Sequence, residues 1–294
     1  AVALNSGTDA LFLALKVIGV EKGDEVITVP NSFIASASSI VAAGARPVFC
    51  DVRPDQNMDS QKLEAVITKR TKAIMPVHLT GKIADMASIM KIARKHKLFV
   101  IEDAAQAIGA VYRNKKAGSF GIVGCFSLHP LKTLNACGDA GMLTTNDREL
   151  AVRLKQLRNI GLKNRIESDE LGYNSRLDTL QAAFVIIKMK YLNGWIAKRR
   201  DNASYYTKRL KGIVGCPSES KFEKQAYHLY VIQTDRRDKL QKFLMDRGID
   251  TKIHYPIPIH LQRAVKKLGY KKGDIPIVEQ QTKRILSLPI YQTL

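Results

Sequence analysis

The segment CFSLHPLKTLNACGDAGMLTT (125–145) sets a single lysine, Lys132, among apolar and small residues, five positions after Ser127 and ahead of a GDAG turn. Burial disfavours an ammonium and lowers a lysine's pKa. A neutral amine is what Schiff-base chemistry needs. Lys132 is thus a candidate covalent carrier, although a surface lysine whose stem lies along apolar surface would fit the same pattern. A second segment, LFVIEDAAQAIGA (98–110), ends an apolar run on Asp103. Ligands of open α/β sheets sit beyond the carboxyl ends of strands. Asp103 can be a hydrogen-bonded structural carboxylate, the metal-binding carboxylate of a phosphate-loop ATPase, or an anion held against a protonated ring nitrogen. The ATPase reading is poor, because the chain has no G-x-x-x-x-G-K-[ST]. A third segment, SGTDALFLAL (6–15), puts free backbone N–H groups and a hydroxyl at a helix N-terminus. That is either an anion site or an ordinary cap. In LGYNSRLDTLQAA (171–183), Asn174 and Arg176 precede a helix for which Asp178 is the expected cap; a plain polar loop would look alike.

The elements that must hold these residues follow from periodicity. EVITVP (25–30), PVFCDV (47–52), AIMPVHL (73–79) and LFVIED (98–103) are short, Val/Ile-rich and bounded by Gly, Pro or charge, as buried parallel strands are. Helical patterns lie between them at 31–43, 59–68 and 84–96. In the last, Ile89, Ile92 and Ala93 share a face opposite Lys91, Arg94 and Lys95, with Asp85 as N-cap. This alternation predicts an α/β fold, a three-layer, mainly parallel sheet sandwiched by helices. From about Asp147 the pattern turns helical, with one long run from Asp178 to Leu210. After Cys216-Pro217 come a strand over 226–234, a helix over 236–247, and strand-like DTKIHY (250–255) and ILSLPIY (285–291). We expect a large domain over 1–212 and a smaller C-terminal α/β domain over 213–294.

Composition narrows the function classes. The net charge is +20 and uneven: from Lys188 onward 23 Lys/Arg face 9 Asp/Glu. The basic residues are spread along helical stretches without zinc-finger spacing or an aromatic–basic RNA motif, so no nucleic-acid partner is expected. An anionic small substrate suits them. Cys50, Cys125, Cys137 and Cys216 form no C-x-x-C or Cys/His cluster, so reduced thiols and no metal site are expected. No apolar run approaches the ~20 residues of a membrane span, and the first residues lack a basic leader. A cytoplasmic protein without a membrane partner is the expectation.

Taken together, NSGTDAL (5–11), GDEVITVPNSFIASASSI (23–40), GARPVFCDV (44–52), VHLTG (77–81), IEDAAQAIGA (101–110), FSLHPLKTLNACGDAG (126–141), RNIG (158–161), GYNSRLDTLQAA (172–183), HYPIPIHLQ (254–262) and ILSLPIY (285–291) resemble the DegT/DnrJ/EryC1/StrS sugar aminotransferases, of the fold type I pyridoxal-phosphate superfamily. The resemblance covers essentially the whole chain, with ten motifs in order. It implies pyridoxal 5′-phosphate as cofactor and Lys132 as its covalent carrier and proton-moving base. It implies Asp103 against the ring nitrogen, Gln106 on the phenolic oxygen and Phe33 on the ring face. Gly7, Thr8 and Ser127 would bind the phosphate, with Asn174 reaching it from the neighbouring subunit of a homodimer with shared sites. Tyr255 and His260 are candidate substrate contacts by position. The implied reaction moves an amino group from L-glutamate to a nucleotide-diphospho keto-sugar. HPLK-x-LN is similar to the branch that aminates carbon 3 of dTDP-linked 6-deoxy sugars, for amino-sugar or polysaccharide biosynthesis. Relatives carry a further N-terminal segment of about forty residues and a last helix. Many have His where Ile160 stands, and GEGG or GDGG in place of GDAG. Two alternatives remain: a sugar dehydratase, whose branch replaces the lysine with histidine, and a non-catalytic regulatory protein that keeps the fold.

Overall fold

The computed structural model describes residues 1–294. Its strands are β1 (Val2–Leu4), β2 (Glu25–Thr28), β3 (Arg46–Phe49), β4 (Thr71–Ile74), β5 (Phe99–Asp103), β6 (Val111–Tyr112), β7 (Lys115–Lys116), β8 (Val123–Ser127), β9 (Gly141–Thr144), β10 (Glu223–Lys224), β11 (Tyr230–Gln233) and β12 (Ile285–Leu288). Its α-helices are α1 (Gly7–Val17), α2 (Ala35–Ala42), α3 (Ser60–Leu63), α4 (Met86–Lys95), α5 (Arg148–Leu157), α6 (Thr179–Met189), α7 (Leu192–Leu210), α8 (Arg237–Met245) and α9 (Pro276–Gln281).

Seven strands form the central sheet in the order β1-β9-β8-β5-β4-β2-β3. The pairs from β3 through β8 are parallel; β9 runs antiparallel to both β8 and β1. Successive strand residues point to opposite faces, and each face builds its own core. Ile27, Ile74, Val100 and Phe126 meet Met86, Ile89 and Ala93 of α4 on one side. Val26, Ala73, Ile101 and Val123 meet α1, Ile40 of α2 and Leu154 of α5 on the other. This is the three-layer α/β arrangement, and it turns the carboxyl ends of β5 and β8 toward the start of α1.

Local chemistry explains the element limits. The Asp85 carboxylate accepts from the Ser88 amide at 3.4 Å and caps α4, whose last turn carries Arg94 and Lys95. Asp178 departs from expectation: it occupies the N-cap position of α6 but makes no capping bond. The run from Asp178 to Leu210 is also two helices. Lys190 and Tyr191 donate back three residues, to Ile187 and Lys188, which tightens and ends α6. Gly194 then weakens the first turn of α7. Each helix serves a different core. Val185 of α6 packs with Leu128, Leu134 and Ala136, whereas Ala203 of α7 packs with Tyr230, Ile232 and Leu286. The expected helix over 59–68 is only α3 followed by a 3-10 turn, and 250–255 contributes a single bridge, Lys252 to Ser287.

β11 and β12 pair antiparallel, and with α7 and α8 they enclose the smaller core. Ile259, Val265, Ile275 and Val278 join the first core of the large sheet. Packing therefore crosses residue 212 in both directions. All four cysteines are unpaired: Cys50 and Cys125 are buried, Cys216 is half-buried and Cys137 is exposed. No helix is long and apolar enough to cross a membrane.

Candidate active site

β5 delivers Asp103 to the sheet's carboxyl edge, where it is 4% exposed. One oxygen accepts from the Ser36 hydroxyl at 2.8 Å and the other from the Ala105 amide at 3.2 Å. Ser36 in turn shares a 2.7 Å bond with Ser32. No salt bridge reaches the carboxylate. Burial pushes its pKa up, opposed by the two hydrogen bonds and by the nearby Lys132 ammonium. An ionised carboxylate so placed calls for a cation to meet it.

The preceding residue, Glu102, points the other way, as strand alternation requires, and is fully buried. It accepts from His78 Nε2 at 2.9 Å and from the amides of Gly118, Phe120 and Gly121 at 2.8, 2.6 and 2.7 Å. Against the burial, the histidine and the Gly121 and Gly118 amides hold its pKa down. Glu102 therefore locks the 118–121 turn beneath β5 and keeps the end that carries Asp103 in place.

Lys132 rides on the loop after β8. Its amide bonds His129 O at 2.8 Å, and its own carbonyl accepts from Asn135 Nδ2 at 2.8 Å. Asn135 is tied to α6 through Lys188 Nζ at 2.6 Å, and Gln181 of α6 accepts from the Cys137 amide at 2.8 Å. Leu128, Leu134, Ala136 and Ala140 form the small core under the loop. Burying a leucine contributes roughly 1.5–3 kcal/mol, enough to hold one loop conformation. The Lys132 amine makes no ion pair. Burial lowers its pKa, and the Asp103 charge offsets part of that.

The start of α1 lies against the end of β8. A Cβ on Gly7 would come within 2.6 Å of Ser127 Cβ, and one on Gly141 would overlap the Ser6 carbonyl. Only glycine lets the helix N-terminus, Ser127 and the GDAG turn come this close. Ser6 caps α1 by accepting from Asp9 N at 3.1 Å, so Gly7 and Thr8 keep free N–H groups beside Ser127.

On the opposite side the Phe33 ring is 57% exposed and lies 6.1 Å from Tyr255. Gln106 accepts from the Thr80 amide at 2.7 Å and donates to the Tyr255 hydroxyl at 3.3 Å. Burial, then the Asp103 charge, pushes the Tyr255 phenol up to about 12. Asp103, Lys132, Gln106, Phe33 and Tyr255 thus converge, with Gly7, Thr8 and Ser127 along one edge. Asn174 is exposed on a bridge to Asn159 and bonds to none of them. His260 is not brought to this cluster. It is 2% exposed, its ring against Phe49 and Tyr270 and its Nε2 3.1 Å from Glu279.

Two histidines near Lys132 escaped the sequence reading. Burial, and then the charge of Lys132, pushes both His228 and His254 below the usual imidazole range. His228 Nδ1 is buried without a partner, whereas His254 Nδ1 meets Ser287 Oγ at 2.9 Å. Ser36 also escaped, although Ser32, Ser36 and Ser39 recur three and four residues apart, the spacing that puts small polar groups on one buried helix face.

These groups fit pyridoxal 5′-phosphate. The glycine-lined helix N-terminus suits its phosphate, the buried unpaired carboxylate its ring nitrogen, and the half-buried unpaired amine its aldehyde. Fold and site together define a pyridoxal-phosphate-dependent aminotransferase.

The DegT/DnrJ/EryC1/StrS aminotransferase family model matches residues 1–294. A Geobacillus stearothermophilus protein named pleiotropic regulatory protein is 46% identical over 100% of this chain and 80% of its own. A Streptomyces venezuelae dTDP-3-amino-3,4,6-trideoxy-alpha-D-glucose transaminase is 42% identical, over 99% and 77%. An Acidithiobacillus ferrooxidans UDP-N-acetyl-3-dehydro-alpha-D-glucosamine 3-aminotransferase is 43% identical, over 100% and 79%. The structure of S. venezuelae DesV with a ketimine intermediate superposes with a TM-score of 0.96 at 42% identity, over 100% of this chain and 80% of that one. The chain belongs to the DegT/DnrJ/EryC1/StrS aminotransferase family, and its cofactor is pyridoxal 5′-phosphate, which relatives carry in PLP and PMP forms.

Proposed function

We propose that the protein transfers an amino group from L-glutamate to a nucleotide-diphospho keto-sugar, with a dTDP-linked 3-keto-6-deoxyhexose as the acceptor, and that it does so as a cytoplasmic homodimer. The observation that carries this reading is the Lys132 side chain: half-buried, without an ion pair, its pKa lowered by burial and in the field of buried Asp103. When bound, pyridoxal phosphate supplies an electron sink for the electrons left when a carbon gives up its proton. Lys132 Nζ, its pKa lowered by burial, would take that proton as the free amine and return it two atoms away. Asp103, ionised against the ring nitrogen, keeps the sink electron-poor. Phe33 covers one ring face, Gln106 holds the phenolic oxygen, and Gly7, Thr8 and Ser127 hold the phosphate. Tyr255 faces the sugar.

Relatives named for dTDP- and UDP-linked sugars support a nucleotide-sugar acceptor, and HPLK-x-LN favours the dTDP branch. The surplus of basic residues after Lys188 suits a diphosphate. The homodimer is supported by α6, where Leu180, Ile186, Ile187 and Met189 are all more than half exposed and only Val185 is buried. An apolar patch of this kind marks a protein interface. Asn174 would then reach the partner's phosphate. A lysine at position 132, where the dehydratase branch has histidine, speaks against dehydration. The name of the Geobacillus relative favours a regulatory second reading, but that reading gives the unpaired Lys132 amine no task.

Half-reactions test the proposal. L-glutamate is expected to bleach the visible Schiff-base band of the loaded protein, and a keto-sugar to restore it, fastest with the dTDP-linked 3-keto-6-deoxyhexose. A band indifferent to glutamate and to every keto-sugar would favour the regulatory reading. Faster restoration by a UDP- or GDP-linked sugar would overturn the dTDP assignment.

A further inference from the structure

The Thr80–Gly81 turn connects two parts of the molecule that the reaction does not obviously link. Both residues have left-handed backbones, with φ of 62° and 99°. Facing the site, the Thr80 amide donates to Gln106 Oε1 at 2.7 Å. That bond fixes the flip of the Gln106 amide and leaves Nε2 to act as donor. Facing away, the Thr80 carbonyl accepts from the Leu229 amide at 3.1 Å and the Gly81 carbonyl from the Ala226 amide at 2.9 Å. The two backbones touch: a Cβ on Gly81 would lie 2.8 Å from the amide nitrogens of both Tyr227 and His228. From the far side Arg199 donates to the carbonyls of Tyr227 and Ile290 at 3.1 and 2.9 Å, with a 3.4 Å contact to His228 O. Segment 226–229 is thus held between the turn and α7, and it carries the His228 ring, whose Nδ1 is buried without a partner.

We propose that the Thr80–Gly81 turn is a clasp that couples cofactor occupancy to the docking of segment 226–229, making Gly81 a positioning residue for Gln106 and His228. A cofactor that engages Gln106 favours the amide flip the Thr80 bond imposes. It therefore favours the turn, and the turn favours the docked segment; by linkage, docking strengthens cofactor binding by the same factor. Gly81 has to be glycine because the segment's backbone fills the space of a side chain and because its φ disfavours one. The inference rests on the reading that Gln106 contacts the bound cofactor.

Amide hydrogen exchange on the full chain, with and without pyridoxal phosphate, tests the clasp. The Thr80, Ala226 and Leu229 amides are expected to share one protection factor and to slow together by about tenfold when the cofactor is added. Slowing at Thr80 with Ala226 and Leu229 unchanged would overturn it. Gly81→Ala is expected to weaken pyridoxal phosphate binding by about tenfold and to abolish the response at 226 and 229; wild-type affinity would overturn the clasp. If that variant does not fold, the wild-type exchange comparison decides alone. Gln106→Ala separates the two readings. Unchanged cofactor affinity would remove the Gln106 contact and the clasp with it. Weakened affinity, beside a wild type in which 226 and 229 ignore the cofactor, would remove the clasp alone.

Discussion

Lys132→Ala is expected to abolish amination and leave the fold intact. The loss should exceed the about 10²–10⁴-fold that a general base alone contributes, because the same amine also carries the cofactor. The fold should survive because nothing structural depends on this side chain. Its amine forms no ion pair, and the bonds that shape the loop run through its backbone, to His129 and Asn135. Turnover with glutamate and keto-sugar, beside a thermal melt, reads both halves. Retained turnover would move the chemistry to another residue, and a collapsed melt would make Lys132 structural.

Asp103→Asn is expected to bind cofactor yet lose most turnover, by about 10²-fold or more, the scale on which a preorganised charge at a reacting group acts. Asparagine is isosteric, and its carbonyl can still accept from Ser36 or Ala105. What it cannot do is carry the negative charge that keeps a ring nitrogen protonated. Burial already strains the charged form of Asp103, so the neutral amide should cost the fold little. Cofactor titration and kcat measured on the same preparation separate binding from turnover. Full activity in Asp103→Asn would end the ring-nitrogen role.

How far the sequence could be read depended on the range of the interactions involved. The strands from Glu25 to Asp103 announce themselves by apolar runs with sharp boundaries, and the end of the LFVIED run places Asp103 at the sheet's carboxyl edge without further help. The α4 cap at Asp85 is a contact over three residues and equally visible. β1 and β9 are three and four residues long and pair with each other antiparallel, so neither carries enough pattern to declare itself. Ser36 meets Asp103 across 67 residues, and Thr80 meets Gln106 through a backbone amide, which leaves no trace in residue type. His228 comes into the field of Lys132 through a segment that docks on Gly81, a backbone contact that residue type does not report. His260 shows the converse. It sits in the same motif as Tyr255, but its ring turns inward to Phe49 and Glu279, and position along the chain does not report that rotation.

The central claim is that one amine, at position 132, carries the cofactor. Borohydride reduction of the loaded protein, then proteolysis and mass spectrometry of the peptides, tests it directly. The expected result is a reduced pyridoxyl group on the peptide containing Lys132 and on no other. Label on a different lysine, or none retained after reduction, would contradict it.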